Sequence, residues 1–342
     1  MKTGVVAIGR NEGQRLMACL RSALRDAETV VYVDSGSTDD SPAAARAMGV
    51  HVVELDMSIP FTAARSRNEG LARLLQVDPS IELVQFVDGD CEIVPGWLSR
   101  AKAEIAGNPR AAVVCGRRRE RYPEHSIYNA LCDIEWNTPV GQAKYCGGDA
   151  LMRVAALREV GGYDASVIAG EEPEMCVRLR ARGWTIHRID AEMTLHDAAM
   201  TRFAQWWKRM VRGGHAYAEG YAMHGGAPEF HRRKETRSNW AWGLLLPLVV
   251  LAGTVALAMW DWRWCWVGLL PALLYDVLLI KVFLSARRRG MPAALALAYA
   301  VYMVIAKFPL AIGQMTYYWN RSRGRKTRLI EYKGAEPARQ AA

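Results

Sequence analysis

Two aspartates separated by one glycine follow a short apolar run in this sequence. Leu83 to Val87 has the pattern of a buried strand, and Asp88, Gly89 and Asp90 come directly after it. Because side chains alternate along an extended chain, we expect both carboxylates to point the same way, with room at the glycine for a ligand. Two hard oxygen donors on one side suit a divalent cation that carries phosphates. The competing interpretation is a strand that ends in an Asp-Gly turn without any ligand.

Polar side chains also follow the two strands that begin the chain. Asn11 and Glu12 come after the first strand, and Asp34 and Ser35 come after the second. Strands alternate with helices as far as Val87, which predicts a parallel sheet covered on both faces. Ligands of such sheets bind at the carboxyl ends of the strands. A nucleotide site on that rim is therefore favoured over several unrelated turns.

A second acidic group opens a helix later in the sequence. Glu171 and Glu172 precede Pro173, which is at home in a first helical turn, so both carboxylates face the positive end of the helix dipole. Simple capping is the commoner explanation of such a pair when it is considered alone. His196 is a candidate metal ligand or an ordinary loop residue. Asp149 either contacts a sugar or is a turn residue before a helix.

Basic and aromatic residues suggest how anionic groups are bound. The helix predicted from Phe203 to Val211 is rich in tryptophan and carries Arg209, with Arg212 close behind, and such a helix clamps a pyrophosphate or lies at a membrane interface. The stretch from Arg117 to Tyr145 is interpreted as a mobile substrate loop or a charged, solvated face.

A net charge of +9 favours anionic partners, which include nucleic acid, membrane surfaces and nucleotide diphosphates. The seven cysteines lack paired spacing, which indicates reduced thiols.

The composition changes at Trp240. The predicted organisation is a catalytic domain at 1–227, a basic linker at 228–239, a membrane region at 240–320 and a basic cytosolic tail at 321–342. Segments 240–260 and 264–284 are apolar enough to span a bilayer. Arg287 to Arg289 follow the second span and place that end, and the catalytic domain, in the cytoplasm.

A third apolar segment, 293–319, is open to two interpretations. Lys307 and Pro309 interrupt it, and a full crossing would move the basic tail to the far side of the membrane. We therefore favour a re-entrant or interfacial segment over a third transmembrane helix.

Taken in order, these clusters resemble glycosyltransferase family 2, the inverting nucleotide-sugar transferases of GT-A fold, over about the first 215 residues. The matching motifs are Asn11-Glu12 after the opening strand, Asp34 to Asp39 after the second strand, Arg67-Asn68 in the helix before the metal site, Asp88-Gly89-Asp90 as the DxD motif, the turn Gly161-Gly162-Tyr163-Asp164, and Gly170-Glu171-Glu172. The resemblance implies an α/β fold with a Rossmann-like mixed sheet flanked by helices, followed here by the membrane region.

The resemblance also implies roles for these residues. Asp34 would contact the uracil of the donor, and Asp88 and Asp90 would serve the ribose, the metal and the diphosphate. Glu172 stands where the family usually has the aspartate that acts as the base, and Glu171 is the reserve candidate.

The cofactor implied is Mg²⁺ or Mn²⁺. Asp90 and Asp88 would hold the ion with His196 or Glu92, and Arg209 or Arg212 would assist at the diphosphate. The remaining substrate-binding candidates are Asn11, Glu12, Ser35, Arg67, Asn68 and Asp149.

The order Gln205-Trp206-Trp207-Lys208-Arg209 departs from the Gln-x-x-Arg-Trp signature of processive synthases, so we expect non-processive transfer. The predicted partners are a nucleotide sugar, most simply a UDP-sugar, a lipid-linked or glycolipid acceptor, and the membrane, with no nucleic acid. The predicted role is cell-surface polysaccharide or glycolipid synthesis by a multi-pass protein of the inner (cell) membrane.

Two other functions remain open at this point. In the first, the same fold uses polyprenyl phosphate as the acceptor, and no base is needed because the acceptor is already an anion. In the second, the chain is a non-catalytic membrane-surface or nucleic-acid binding protein. That alternative leaves the clustered acids unexplained, since carboxylates repel phosphate unless a cation is present.

Overall fold

The computed structural model describes residues 1–325, and these form two compact units. The first unit comprises Met1–Thr201, and the second begins at Arg202. The predicted basic tail at 321–342 lies outside the described residues from residue 326 onward.

Strands in the first unit pair into one mixed sheet. They are β1 (Thr3–Gly9), β2 (Thr29–Asp34), β3 (His51–Glu54), β4 (Leu83–Asp88), β5 (Cys91–Ile93), β6 (Ala111–Glu120), β7 (Gly141–Ala143), β8 (Ala150–Arg153) and β9 (Thr185–His196). Their order across the sheet is β3-β2-β1-β4-β8-β6-β9-β5, with β7 paired to β9.

The first four strands form the parallel half of the sheet. β1 runs parallel to β2 and β4, and β2 runs parallel to β3, as the alternation of strands and helices predicts. β8 is antiparallel to both β4 and β6, and β5 is antiparallel to β9, so the whole sheet is mixed. This arrangement brings the ends of β2 and β4 to the same rim.

Helices cover the sheet of the first unit. They are α1 (Gln14–Asp26), α2 (Ser41–Ala47), α3 (Ala63–Val77), α4 (Trp97–Gly107), α5 (Ile127–Trp136), α6 (Val154–Glu159) and α7 (Glu171–Ala181), with a 3-10 turn at Pro123–His125. Helix α3 lies directly on β1, because a Cβ at Gly70 would come within 2.3 Å of Val6 Cγ1. This close contact fixes the preceding turn of α3, which carries Arg67, over the sheet.

The prediction of a mobile loop from Arg117 to Tyr145 is wrong over much of its length, because helix α5, strand β7 and the end of strand β6 lie within it. Strand β6 continues through the arginine run to Glu120, where it pairs in parallel with β9 and sets Glu120 beside His196. The sequence between 117 and 120 is too polar to be recognised as a strand, and pairing with the long β9 stabilises it there.

The second unit is helical within the described residues. Its helices are α8 (Phe203–His224), α9 (Arg233–Trp240), α10 (Leu246–Trp260), α11 (Leu274–Arg288), α12 (Ala293–Ile305) and α13 (Lys307–Ser322), with a π-helical segment at Ala241–Leu245 and a 3-10 segment at Trp262–Leu273. The division at residue 201 lies earlier than the predicted domain boundary at 227, and α8 belongs to the second unit.

Small residues explain why α8 joins the second unit. A Cβ at Gly214 of α8 would lie 2.0 Å from the carbonyl oxygen of Leu310 in α13, and one at Gly313 would lie 1.9 Å from that of Val211. The two helix backbones therefore pack closer than any larger side chain would allow.

Three helical stretches are long and apolar enough to cross a membrane. They are Arg233–Trp260, Trp262–Arg288 and Ala293–Ser322. The predicted linker is therefore helical from Arg233 onward. In the third stretch Pro309 lies in the first turn of α13, where a missing N–H is tolerated, so the length of this stretch meets the requirement for a crossing.

Candidate active site

One buried arginine joins the aspartate motif to the acidic start of helix α7. Arg67 is only 2% exposed, and its Nη2 donates to Asp88 Oδ1 at 2.9 Å. Its Nη1 donates to Glu171 Oε1 at 2.8 Å and lies 3.0 Å from Glu172 Oε1. Asp88 and the adjacent pair Glu171 and Glu172, which lie far apart in the sequence, therefore share one guanidinium.

A second arginine holds the other side of Asp88. Arg118 Nη2 donates to Asp88 Oδ2 at 2.9 Å, and its Nε donates to Asp149 Oδ2 at 2.8 Å. Asp149 is fully buried, and it accepts from the backbone N–H of Asp88 at 3.0 Å and from Thr194 Oγ1 at 2.6 Å. Asp149 thus positions both Asp88 and Arg118.

Sequence reasoning did not identify Arg118 as a site residue. It stands in a run of three arginines on β6, whose outer two pair elsewhere, Arg117 with Asp133 and Arg119 with Glu192. Strand alternation would have singled out Arg118, had the run been recognised as a strand.

Asp90 belongs to a separate buried chain of polar groups. Its Oδ2 lies 3.2 Å from His196 Nε2, and His196 Nδ1 lies 3.2 Å from Glu120 Oε2. The edge of Trp136 packs against the imidazole, with 4.7 Å between ring centroids. Glu120 therefore fixes the orientation of the imidazole toward Asp90, a role that no local sequence pattern indicates.

The carboxylate of Asp90 and the imidazole of His196 fit a divalent metal ion. Potential ligand atoms of Asp90, Cys91 and His196 lie within 4.8 Å of one another. Oxygen and imidazole nitrogen suit Mn²⁺, and a carboxylate behind a ligating histidine is the usual outer support. Burial raises the pKa of the Cys91 thiol well above its ordinary value, and a soft sulfur suits Mg²⁺ or Mn²⁺ less well than the carboxylate of Asp90 does.

The two aspartates of the motif, Asp88 and Asp90, contact different partners. Strand β4 ends at Asp88, residues 89 and 90 form a turn, and the N–H of Gly89 donates to Ile8 O at 2.7 Å. The extended alternation stops at the turn, so Asp88 lies between two guanidinium groups while Asp90 faces His196. The two carboxylates therefore contact different groups, although their ligand atoms each lie within 4.8 Å of the sulfur of Cys91.

Glu92 was a further candidate for the metal. In the structure it pairs with Arg121, with 2.5 Å between Oε2 and Nη2. The described residues form two groups of potential ligands, Asp90 with Cys91 and His196, and Asp88 with Cys91 and Asp149, and Glu92 belongs to neither.

Asp34 shapes the turn that follows β2. Its Oδ2 accepts from the backbone N–H groups of Gly36 and Ser37, at 3.0 and 2.8 Å. Its Oδ1 accepts from the hydroxyls of Tyr32 and Ser37, at 2.8 and 2.5 Å. A contact of this buried carboxylate with the donor base stays a prediction.

The loop after β1 is tied to the same turn. Asn11 has a positive φ of 55°, its N–H donates to Ser37 Oγ at 2.8 Å, and its Oδ1 accepts from the N–H of Thr38 at 2.7 Å. The hydroxyl of Ser35 lies 3.1 Å from that of Ser66. Glu12 pairs with Arg15 at 2.9 Å. These residues organise the rim of β1 and β2, and their contact with substrate remains a prediction.

Asn68 supports the glycine-rich turn before α7. Its Nδ2 donates to the carbonyl of Tyr163 at 2.7 Å, and its Oδ1 accepts from the N–H of Tyr163 at 2.9 Å. The ring of Tyr163 then lies under the guanidinium of Arg67, 5.6 Å from its centroid. In this structure Asn68 positions Arg67 through Tyr163.

The electrostatics of the acidic pair favour Glu172 as a proton acceptor. Burial, and next the charge of Glu171, raise the pKa of Glu172 to about 7, although Arg67 opposes the shift. The side chain of Glu171 is 5% exposed and that of Glu172 is 13% exposed, so Glu172 is the more accessible. A base whose pKa lies near neutrality suits general base catalysis.

Arg209 and Arg212 lie on α8 in the second unit. Their predicted role at the diphosphate stays a prediction.

Two family models match this chain. The model of Glycosyl transferase family 2 covers residues 5–160, and that of Glycosyl transferase family group 2 covers residues 127–310, more than half of the chain. The chain belongs to glycosyltransferase family 2. The first match contains Arg67, Asp88 and Asp90, and the second contains Glu172 and His196, so the site described above lies within the family region.

Curated relatives of this family 2 chain include the pre-mycofactocin glycosyltransferase from two strains of Mycobacterium tuberculosis. Each is 27% identical over 229 residues, which is 60% of this chain and 44% of the relative. The chain thus spans less than half the length of these relatives.

Solved structures resemble this chain to different degrees. The mannosyltransferase PcManGT from Pyrobaculum calidifontis, in complex with GDP-Man and Mn²⁺, has a TM-score of 0.58 at 19% identity, over 94% of this chain and 88% of that one. The TarS 1–349 fragment from S. aureus has a TM-score of 0.48 at 14% identity, over 95% and 92%. The mannosyltransferase confirms the predicted GT-A fold.

Proposed function

We propose that this chain is a metal-dependent inverting glycosyltransferase that moves a sugar from a nucleotide-diphosphate sugar to a hydroxyl of a lipid-linked acceptor. The proposal rests on two contacts of Arg67. Its guanidinium donates a hydrogen bond to the DxD residue Asp88 and contacts the candidate base Glu172. One residue thus couples the donor end of the site to the acceptor end.

At the donor end, the proposal assigns the metal to Asp90 and His196. A bound Mg²⁺ or Mn²⁺ would neutralise the charge on the leaving diphosphate. Glu120 orients His196, while Arg67 and Arg118 hold Asp88 toward the donor ribose. The Mn²⁺ and GDP-Man in the structure of PcManGT support this class of donor and metal.

At the acceptor end, Glu172 takes the proton of the acceptor hydroxyl. The hydroxyl oxygen then attacks the anomeric carbon from the face opposite the nucleotide, the bond to the diphosphate breaks, and the configuration inverts. Arg67 holds the carboxylate in place and favours its ionised form. Glu171 is more buried than Glu172 and also binds Arg67, so we assign it a positioning role.

The membrane helices support a lipid-linked or glycolipid acceptor. Three stretches are long and apolar enough to cross a bilayer, and the arginines at 287–289 favour a cytoplasmic position for the end of the second. A catalytic unit attached to the inner membrane meets such acceptors at its surface. The product would enter cell-surface polysaccharide or glycolipid synthesis.

A donor panel tests this function. Membranes that contain the full chain are incubated with radiolabelled UDP-glucose, UDP-galactose, UDP-N-acetylglucosamine or GDP-mannose, with Mn²⁺ or Mg²⁺, and label in the lipid extract is counted. We expect one donor to label the extract and Asp90→Asn to abolish the labelling. If no donor is consumed and Asp90→Asn changes nothing, the proposed function fails.

A further inference from the structure

A cavity of about 330 Å³ lies in the second unit, remote in sequence from the residues of the candidate active site. Its lining is Phe230, Arg233, Lys234 and Arg237, and we name it the juxtamembrane cavity. Three of its four lining side chains are cationic, and none has been assigned a role in sugar transfer.

Among the described residues, no carboxylate neutralises the cations of the juxtamembrane cavity. Within residues 1–325 no carboxylate forms an ion pair with Arg233, Lys234 or Arg237, and the nearby Glu235 pairs instead with Arg232 at 3.4 Å. Positions 233, 234 and 237 share the first turns of one helix, where the dipole adds further positive potential. The cluster therefore concentrates positive charge, which attracts anions.

The helix that carries these cations continues into the first apolar stretch. It runs from Arg233 to Trp260, 28 residues, which corresponds to about 42 Å of helix. Its uncharged part from Trp240 to Trp260 corresponds to about 31 Å, close to the thickness of the hydrocarbon core. The basic turn therefore falls at the level of the lipid headgroups.

Phe230 distinguishes a lipid from a soluble anion. Its side chain is 47% exposed, and the guanidinium of Arg233 lies 5.1 Å from its ring centroid. An exposed aromatic ring beside cations is typical of residues that lie at a membrane interface, where one side meets acyl chains and the other meets phosphates.

We propose that the juxtamembrane cavity binds the anionic phosphate group of a membrane lipid. Arg233, Lys234 and Arg237 contact the phosphate oxygens, and Phe230 packs against the first methylenes of the acyl chains. The proposal is independent of the sugar-transfer chemistry, because it uses none of the residues assigned to that reaction.

Lipid binding to the full chain tests this site. The protein is purified in dodecyl maltoside, and binding of dioleoyl phosphatidylglycerol, dioleoyl phosphatidylcholine and inorganic phosphate is measured by native mass spectrometry and thermophoresis. We expect phosphatidylglycerol to bind at least about tenfold more tightly than phosphatidylcholine, and inorganic phosphate not to compete at equal concentration.

Two triple variants of equal charge provide the control. Arg233→Gln/Lys234→Gln/Arg237→Gln should weaken phosphatidylglycerol binding by about 100-fold, at about fivefold for each cation removed. Arg287→Gln/Arg288→Gln/Arg289→Gln removes three exposed charges beside another membrane helix and should change binding less than about twofold. Equal losses in both variants would mean unspecific attraction and would overturn the site.

Further measurements distinguish a lipid phosphate from a soluble phosphate and control for misfolding of the variants. Phe230→Ser should weaken lipid binding severalfold. If inorganic phosphate competes at concentrations similar to those of the lipid, the site binds a soluble anion and the lipid assignment is overturned. The single variant Lys234→Gln alters one exposed side chain, so its fold is expected to be intact by thermal unfolding. Unchanged lipid affinity in this variant would also contradict the proposal.

Discussion

Arg67 donates a hydrogen bond from Nη2 to Oδ1 of Asp88 over 2.9 Å. The donor arginine is buried in helix α3, and its acceptor ends strand β4, so the contact joins a covering helix to the sheet rim. The same guanidinium reaches Glu171 and Glu172. The geometry of the site therefore depends on a planar cation that satisfies several carboxylates at once.

Replacing this arginine by lysine should disable the site. An ammonium group is a point charge and cannot hold Asp88 and both glutamates in their present geometry, so Arg67→Lys is expected to lower transfer by about 100-fold or more. The matched control is Arg73→Lys, an exposed position on the same helix, which should retain full transfer. Near-normal transfer by Arg67→Lys would contradict the role assigned to its guanidinium.

Two adjacent glycines offer a steric test. A Cβ at Gly148 would lie 2.6 Å from Arg67 Nη2 and 2.8 Å from Asp88 Oδ2, whereas one at Gly147 would meet no atom within 4 Å. Gly148→Ala should therefore displace this ion pair and lower transfer by about tenfold or more, while Gly147→Ala stays within about twofold of the wild type. Equal rates in the two variants would show that the ion pair is not needed for transfer.

The metal assignment predicts an effect at Glu120, which is not itself a ligand. Its Oε2 lies 3.2 Å from His196 Nδ1, and loss of such an outer carboxylate typically costs about 10- to 100-fold in metal affinity. Glu120→Gln should therefore raise the Mn²⁺ concentration needed for half-maximal transfer by that factor. The exposed Glu124→Gln serves as the control, since its carboxylate is 69% exposed. An unchanged Mn²⁺ requirement in Glu120→Gln would argue against His196 as a ligand.

The raised pKa of Glu172, about 7, also predicts how stability depends on pH. The folded state holds a proton on Glu172 up to about pH 7, whereas an unfolded glutamate releases it near pH 4.3. The folded state therefore binds more protons in this window, and the free energy of unfolding should fall as the pH rises toward 7.

Glu172→Gln should remove this contribution. Thermal unfolding of the two proteins between pH 5 and pH 8 checks it, and the melting temperature of the wild type should drop relative to that of the variant as the pH increases. A constant difference across that range would show that the carboxyl has an ordinary pKa in the folded protein.

The sequence predicted the parts of the site that local patterns mark. Asp88 ends a strongly apolar strand and Glu171 opens a helix behind a glycine, so both could be found from periodicity and turn residues alone. Arg118 and Glu120 could not, because their place depends on the pairing of β6 with β9, which are distant in sequence. No local pattern encodes a pairing of that kind.

The prediction of the fold has the same limit, because local patterns do not encode pairing between distant strands. The parallel strands β1, β2 and β4 alternate with helices, and this pattern predicts them. Strand β8 could not be predicted in this way, because it has only four residues and pairs antiparallel with β4 and β6, neither of which is next to it in the sequence. The different partners of Asp88 and Asp90 could not be predicted for a similar reason. A tight turn at Gly89 replaced the extended chain that the alternation assumed.

The most direct test of the proposed chemistry is the pH profile of sugar transfer to lipid by the wild type and by Glu172→Gln. We expect the wild-type rate to fall about tenfold per pH unit below about pH 7, because the base becomes protonated, and Glu172→Gln to be slower by about 100-fold or more at pH 8. Near-full turnover by Glu172→Gln, with no fall at acid pH, would contradict it and point to an acceptor that is already an anion, such as a polyprenyl phosphate.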